Sequence, residues 1–407
     1  MAYLRNATVN LLNLHYGIHA LAFYGGGAFY FVFLLKAGLP VPLVLGAFAA
    51  ILLGRFALRP MVVPLAVRFG LRQVLIAGTL LSALQYTMLA QVHGVSWPLA
   101  ALLLFSAWSD TIYWSTYHAY FAAVGDSEHR GSQVSAREAI AAVVGIAAPL
   151  ITGWALVAYG PRIAFGATTL ILLLAALPLM RTPDVAVARH AAGAWRAALP
   201  GVKLFIADGW IASGYLVVWQ IALFLSLGEN YLAYGGALAV AALVGAVSGL
   251  VLGRHIDAGH GGRAVWIAFA GLALVTLLRA AAPGHVGLAV FANALGALEY
   301  CLYVPTIMTA VYNQAKRSPC MLRFQVAAEG GWDIGGVSGC LVAALLAWLH
   351  VSLSAGILLA LLGVAALFVM LRRYYARNPN ALSPPVVDLL QTMPFDPDGA
   401  GKRKFPR

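Results

Sequence analysis

Residues 42–66 read PLVLGAFAAILLGRFALRPMVVPLA. Arg55 and Arg59 are the only charged side chains in this run, and a spacing of four puts them on one helical face. At 1.5 Å per residue the stretch is long enough to cross a hydrocarbon core of about 30 Å. An apolar run of this length predicts a membrane-spanning helix.

Further runs of the same kind, bounded by Gly, Pro or charge, lie at 12–36, 73–92, 97–123, 136–159 and 162–180, and again at 205–228, 233–254, 263–282, 286–312, 323–349 and 352–374. The composition agrees: 62% of the chain is AVILMFWYC and only 10% is charged. A soluble domain carries roughly 25% charge. The expected fold is therefore an all-α integral membrane protein with twelve transmembrane helices. The formal net charge of +12 does not point to nucleic acid, because the cations sit in the gaps between apolar runs and no basic stretch is interleaved with aromatics. Cys301, Cys320 and Cys340 form no CxxC pair and read as reduced packing residues, so no disulfide and no metal is expected.

Assigned to alternate sides of these spans, 21 of the 26 Lys and Arg fall on one side. Only Lys36, Arg162 and Arg279 fall on the other, and Arg55 and Arg59 lie within the second span. Cationic loops stay in the cytoplasm. Both termini are expected there, in a multi-pass protein of a bacterial inner (plasma) membrane. The opening MAYLRNATVN runs directly into a long apolar helix, which predicts a retained first span.

The longest internal connection divides the chain. Residues 1–180 are expected to form an N-terminal six-helix bundle and residues 205–375 a C-terminal one. Between them, 181–204 reads as a cytoplasmic amphipathic connection that includes Trp195. Residues 376–407 read as a disordered cytoplasmic tail, Pro-rich and ending in a basic KRK that either touches anionic lipid or is simply solvated. The halves repeat: Asp110 in span four and Glu299 in span ten are 189 residues apart, and so are Arg68 and Asp257 in the turns after spans two and eight. Small residues spaced by four recur in spans two (Gly46, Ala50, Gly54), five (Gly145, Pro149, Gly153), eight (Gly245, Gly249, Gly253) and eleven (Gly331, Gly335, Gly339). Such stripes let helix backbones approach closely in lipid. Parallel six-helix repeats of this kind build transporters with a central site.

Two turns carry a family resemblance. Gly253-Arg254-His255-Ile256-Asp257-Ala258-Gly259, followed by Gly262-Arg263, resembles the signature of the major facilitator superfamily, in which a Gly and an Asp precede basic residues and a Gly. The first copy, Pro64-Leu65-Ala66-Val67-Arg68-Phe69-Gly70-Leu71-Arg72, keeps the basic residues but has Val67 where the family has Asp, so the charge latch of the N-terminal half is expected to be weak. The resemblance covers the twelve spans. It implies that helices two, five, eight and eleven form the interface between halves and that helices one, four, seven and ten line the cavity.

Charges inside a membrane are costly unless paired or hydrated, so each asks for a role. Asp110, in SAWSDTIYWSTYHAYF, and Glu299, in NALGALEYCLYVPTIM, lie near the middles of spans four and ten. They read either as proton carriers, with His118 as a relay, or as structural acids bonded to neighbouring Tyr or Ser. Arg55 and Arg59 on span two match Glu329 and Asp333 on span eleven, which are also four apart. These pairs read as an ion-pair gate between the halves; an Arg55–Asp110 pair within one half, or an Arg that binds an anionic solute, are the rivals. Arg137 and Glu138 read as a local ion pair or a further gate element. His15 and His19 share a face of span one and read as cavity, relay or packing residues, too few for a metal site. Tyr113, Trp114, Tyr117, Tyr300 and Tyr303 read as an aromatic cavity lining or as ordinary packing.

The sequence contains no GxxxxGK[ST] loop and no nucleophile–base cluster, so neither ATP hydrolysis nor an enzyme is expected. The expected function is secondary transport of a small solute by alternating access, coupled to protons. No cofactor, no nucleic acid and a monomer in the bilayer are expected. A non-transporting sensor or assembly factor and an exporter of lipid-like compounds are the alternatives.

Overall fold

The computed structural model describes residues 6–124, 130–256 and 261–378, with side chains for all of these except residues 122, 130–139, 249–256 and 261–262. Among the described residues ten helical stretches are long and apolar enough to cross a membrane. One of these, Val41–Leu89, is two helices, α2 (41–69) and α3 (71–89), which meet at Gly70. Gly70 has φ 80° and ψ 163°, a conformation that costs glycine little and any other residue much. The twelfth span, α4 (Trp97–Val124), carries Asp110 with many Ser, Thr, Tyr and Trp residues, and its polarity alone separates it from the rest.

The remaining helices are α1 (Ala7–Lys36), α5 (Arg130–Ala158), α6 (Gly160–Leu179), α7 (Ala194–Ser226), α8 (Tyr231–Ile256), α9 (Gly261–Ala281), α10 (Val286–Lys316), α11 (Met321–Trp348) and α12 (Leu353–Arg377). The start of α1 is capped by Asn6, whose side chain accepts from the Val9 amide at 3.0 Å. Pro42 and Pro161 stand in the first turns of α2 and α6, where a missing amide proton costs nothing. The chain turns into α7 at Gly193, with φ 77°, so that helix begins at Ala194. Trp195 and Lys203 therefore stand in the first three turns of the α7 helix, which takes up residues 194–204 of the expected connection.

Helices α1–α6 pack as one bundle and α7–α12 as the other. They meet where α2 lies against α11 and α5 against α8. At the end the charge bias assigns to the outside, the halves share one core, in which Phe29, Val32 and Leu45 join Val218, Phe224 and Tyr234. Lys36 and Glu229 pair across that end at 3.3 Å. Towards the opposite end, which the charge bias assigns to the inside, the core divides into a cluster of the C-terminal half and a cluster around Val9, Leu12, Val63 and Tyr117. Among the described residues, Leu322 and Val326 of α11 and Cys320 just before it reach into the latter from the other half.

The glycine stripes do not all mark this interface. A Cβ on Gly331, Gly335 or Gly339 would come within 2.0–2.5 Å of Ile206 or Val202 carbonyls or of Ser213 Oγ, so this stripe seats α11 on α7 within the C-terminal half. Gly54 meets Ala107 of α4, and Gly245 meets Ala297 of α10, each inside its own half. Among the described stripe residues only those of α5 face across, with Gly153 against the Tyr231 carbonyl and Gly145 against Ala242. The reason is helical geometry. Gly331 and Gly335 follow Glu329 and Asp333 by two residues, about 200° around the helix. Glycines and acids on α11 thus point in opposite directions.

Candidate functional site

The α2–α11 contact carries five charged side chains from both halves. Arg59 donates through Nη1 to Glu329 Oε2 at 2.7 Å and through Nε to Asp333 Oδ2. Arg55 Nε lies 3.1 Å from Asp333 Oδ1, a charge contact without hydrogen-bond alignment. Arg55 Nη1 stands 3.7 Å from Asp110 Oδ2 of α4. Ser115, one turn beyond Asp110, donates to Glu329 Oε2 at 3.3 Å. The Arg55 guanidinium also lies 5.4 Å from the centre of the Trp332 ring. Both expected pairings of Arg55, across the halves and with Asp110, are present together.

Two guanidiniums face three carboxylates. Asp333 is fully buried and Arg59 nearly so, while the Asp110 side chain keeps 31% of its exposure. Buried charges persist only where partners replace the lost water. Here Asp333 sits between both arginines and Glu329 is held by Arg59 and Ser115. Asp110 has the longest contact and the widest opening, and it is the carboxylate the arginines satisfy least.

Asp110 borders a cavity inside the N-terminal half, with space for water rather than for a solute, lined by His19, Gln85, Tyr86, Tyr113 and Trp114 among others. The rings of this region are packed on one another. His19 stacks on Tyr113 at 4.0 Å and 6°, Tyr113 on Tyr117 at 5.7 Å, and His118 on Trp114 at 5.9 Å. His15 is tied at both nitrogens, to the Ala175 carbonyl at 2.7 Å and to the Tyr113 hydroxyl at 3.2 Å. The first requires a proton on Nδ1, which leaves Nε2 to accept from the tyrosine if the ring is neutral. Among the described residues no group of three His, Cys, Asp or Glu converges as a metal site.

Glu299 lies elsewhere. It is buried inside the C-terminal half and accepts from the Tyr215 hydroxyl at 3.0 Å, and its Oε1 has no partner among the described residues. Arg279, counted on the outer side at the end of span nine, turns inward from the end of α9. Its Nη1 donates to the Tyr215 carbonyl at 2.6 Å, and its guanidinium lies 4.0 Å over the Tyr215 ring and 5.0 Å from that of Trp219. Tyr215 belongs to a π-helical turn, Ser213–Val218, whose shifted bonding leaves a carbonyl for this guanidinium. Gly296 makes room: a Cβ there would stand 1.9 Å from Arg279 Nη2.

The aromatic lining expected from both halves is not one surface. Tyr303 is buried in the C-terminal core with its hydroxyl on Asp208, and Tyr300 is half exposed on another face of α10. Arg68 lies over Phe69 at 5.1 Å. Gly70 and Arg72, at the α2–α3 turn, meet Asp184 of the connection. Gly253, Asp257, Arg137 and Glu138 fall outside the described side chains, and Arg263 is exposed at the start of α9. Sequence reading passed over Asp208, Asp184 and Tyr215. Asp208 was legible as a lone acid in LFIADGWIASGY at the start of span seven. Tyr215 and Asp184 carry no local signal, since their partners are 84 and 112 residues away.

The chain matches the family model of the Major Facilitator Superfamily over residues 16–319. No curated protein matches it. Among solved structures it is similar to an auto-inhibited POT family peptide transporter, at 15% identity and a TM-score of 0.64, with 91% of this chain and 96% of the other covered. It is also similar to the POT family transporter PepTSo, at 11% identity and a TM-score of 0.65, covering 92% and 98%. These likenesses are of fold. With the family match, the two bundles and the charged seam between them, the chain belongs to the major facilitator superfamily, a superfamily of transporters rather than enzymes.

Proposed function

We propose that this protein moves a small solute across a bacterial inner membrane by alternating access, with both termini in the cytoplasm, and that a proton carried at Asp110 couples to the movement. The observation that carries the reading is the charge balance of the seam: three carboxylates against two arginines, drawn from α2, α4 and α11. When the halves rock, α11 moves relative to α2, and Arg55 is divided between Asp333 of one half and Asp110 of the other. A proton on Asp110 lets Arg55 settle on Asp333 and close the seam. An ionised Asp110 competes for Arg55 and loosens it. Glu299, enclosed with Arg279 and Tyr215 in one half, has no such alternation to respond to.

The test is solute-dependent thermal stabilisation of the purified full chain at acid and at neutral pH, since a ligand of the folded state raises its melting temperature by mass action. Short peptides are the first solutes to try, because solved structures of this fold include a POT family peptide transporter. A stabilising solute whose effect depends on pH in the wild type and not in D110N supports the proposal. The same pH dependence in D110N overturns the proton role. A blank across soluble classes overturns small-solute transport in favour of a lipid-like cargo or a sensor.

A further inference from the structure

The turn between α2 and α3 lacks an acid, because Val67 stands there, yet a carboxylate occupies it. Asp184, from the connection between the halves, accepts from the Arg72 amide at 3.0 Å and from its own neighbour's amide, Val185, at 2.9 Å. The Leu71 amide donates to the Val185 carbonyl at 3.0 Å, and Arg72 Nη1 donates to the Thr182 carbonyl at 2.9 Å. Tyr120 of α4 donates to the Pro183 carbonyl. The Asp184 carboxylate lies so close to Gly70 that a Cβ there would stand 1.9 Å from its Oδ2. Val185 and Val187 pack on the inner core of the N-terminal half.

The other end of the same segment is held by the opposite half. Arg323, on the first turn of α11 and 6% exposed, donates through Nη2 to the Ala188 carbonyl at 3.1 Å and the Arg189 carbonyl at 2.7 Å. Residues 182–189 are thus gripped at one end by the α2–α3 turn and at the other by α11, at the inner end where the hydrophobic core is divided.

We propose that residues 182–189 are a latch between the halves: Asp184 fastens the segment to the N-terminal half at Gly70–Arg72, Arg323 fastens it to the C-terminal half, and the inner ends part only when Arg323 lets go of residues 188 and 189. The carboxylate missing from the turn is supplied by the connection, so the chain that links the halves also clamps them. Because the two grips act in series, undoing either one releases the latch.

The experiment measures the distance between spin labels at Phe69→Cys and Lys316→Cys, exposed positions at the inner ends of the two halves. It uses the full chain in lipid nanodiscs, with Cys301→Ala, Cys320→Ser and Cys340→Ala as background. D184A and R323A should each raise the ratio of wide to narrow distances by about fivefold, the scale of losing a charge-assisted hydrogen bond partly open to water. The double variant should shift no further than the larger single one, because contacts in series do not add. R323K, which keeps the charge and the buried stem but not the two-carbonyl fork, should fall between the wild type and R323A, and it should still lie above the wild type if R323A folds too poorly to be read. Unchanged distances in R323A and R323K overturn the latch. So does a double variant whose shift is the sum of the singles, since the two contacts would then act independently. The readout needs no solute, so it stands or falls apart from the proton proposal.

Discussion

Two buried charge clusters stand out among the described residues, and they are built on different principles. The seam cluster of Arg55, Arg59, Asp110, Glu329 and Asp333 draws its members from both bundles. The Arg279–Tyr215–Glu299 cluster lies wholly within the C-terminal bundle. Asp110 and Glu299 occupy equivalent places in the repeat, 189 residues apart, yet one faces a water-sized cavity beside the interface between the halves and the other is sealed among α7, α9 and α10. A repeat in sequence preserves the helix and the depth of a residue. It does not preserve its partners, and the partners set the chemistry.

The sharpest way to break this contrast is to remove a cation from each cluster. R59M takes from Glu329 its closest cation, leaving it the Ser115 hydroxyl, and leaves Asp333 with Arg55. A buried ion pair broken on one side costs about 3–5 kcal/mol, so a large drop in thermal unfolding temperature is expected. R279M should also destabilise, but it should leave the spacing between the halves unchanged, which inter-half label distances would check. If R279M alters that spacing, the two clusters are not independent.

Next come the acids. D110N mimics a protonated carboxyl, so at neutral pH its solute-induced stabilisation should match that of the wild type at acid pH. E299Q keeps an acceptor for the Tyr215 hydroxyl, and its pH profile should follow the wild type. Reversal of the two profiles would move the proton site into the C-terminal half.

The smaller effects test packing around the clusters. Gly296→Ala must push Arg279 off its place over Tyr215, an overpacking cost of about 1–3 kcal/mol. Gly335→Ala meets the Ile206 backbone, which has less freedom to move, and its cost should equal or exceed that. Gly46→Ala meets nothing within 4 Å, and it should be neutral or up to about 1 kcal/mol stabilising through helix propensity. Equal melting temperatures for Gly335→Ala and Gly46→Ala would refute the seating of α11 on α7 through its glycine face.

Much of the fold was legible along the chain. The apolar runs predicted the twelve helices to within a few residues, except that span seven begins earlier, at Ala194, because Gly193 supplies the turn. The pairing of Arg55 and Arg59 with Glu329 and Asp333 was also legible, from matching spacings on helices two and eleven. The glycine stripes were misleading as interface markers on α2 and α11, although their offset of two from the acids on α11 already placed the two sets on opposite faces. Arg279 counted towards the outer side because it lies near the end of an apolar run, and the neighbouring rings and the Tyr215 carbonyl draw it inward.

What the sequence determined by itself is what depends on runs and sums: span number and length, membrane class, charge asymmetry, and the four-residue spacing that sets arginines and acids on helix faces. These quantities are local to the chain and need no knowledge of neighbours. What only the tertiary structure decided is which face meets which: that Asp333 lies between two arginines, that Glu299 is sealed with Arg279, and that Asp184 fills a turn 112 residues away. Those facts follow from the rotation of each helix about its axis and from close packing between distant segments. In a chain whose helices are apolar on most sides, hydrophobicity sets neither, and a few buried charges and glycines do.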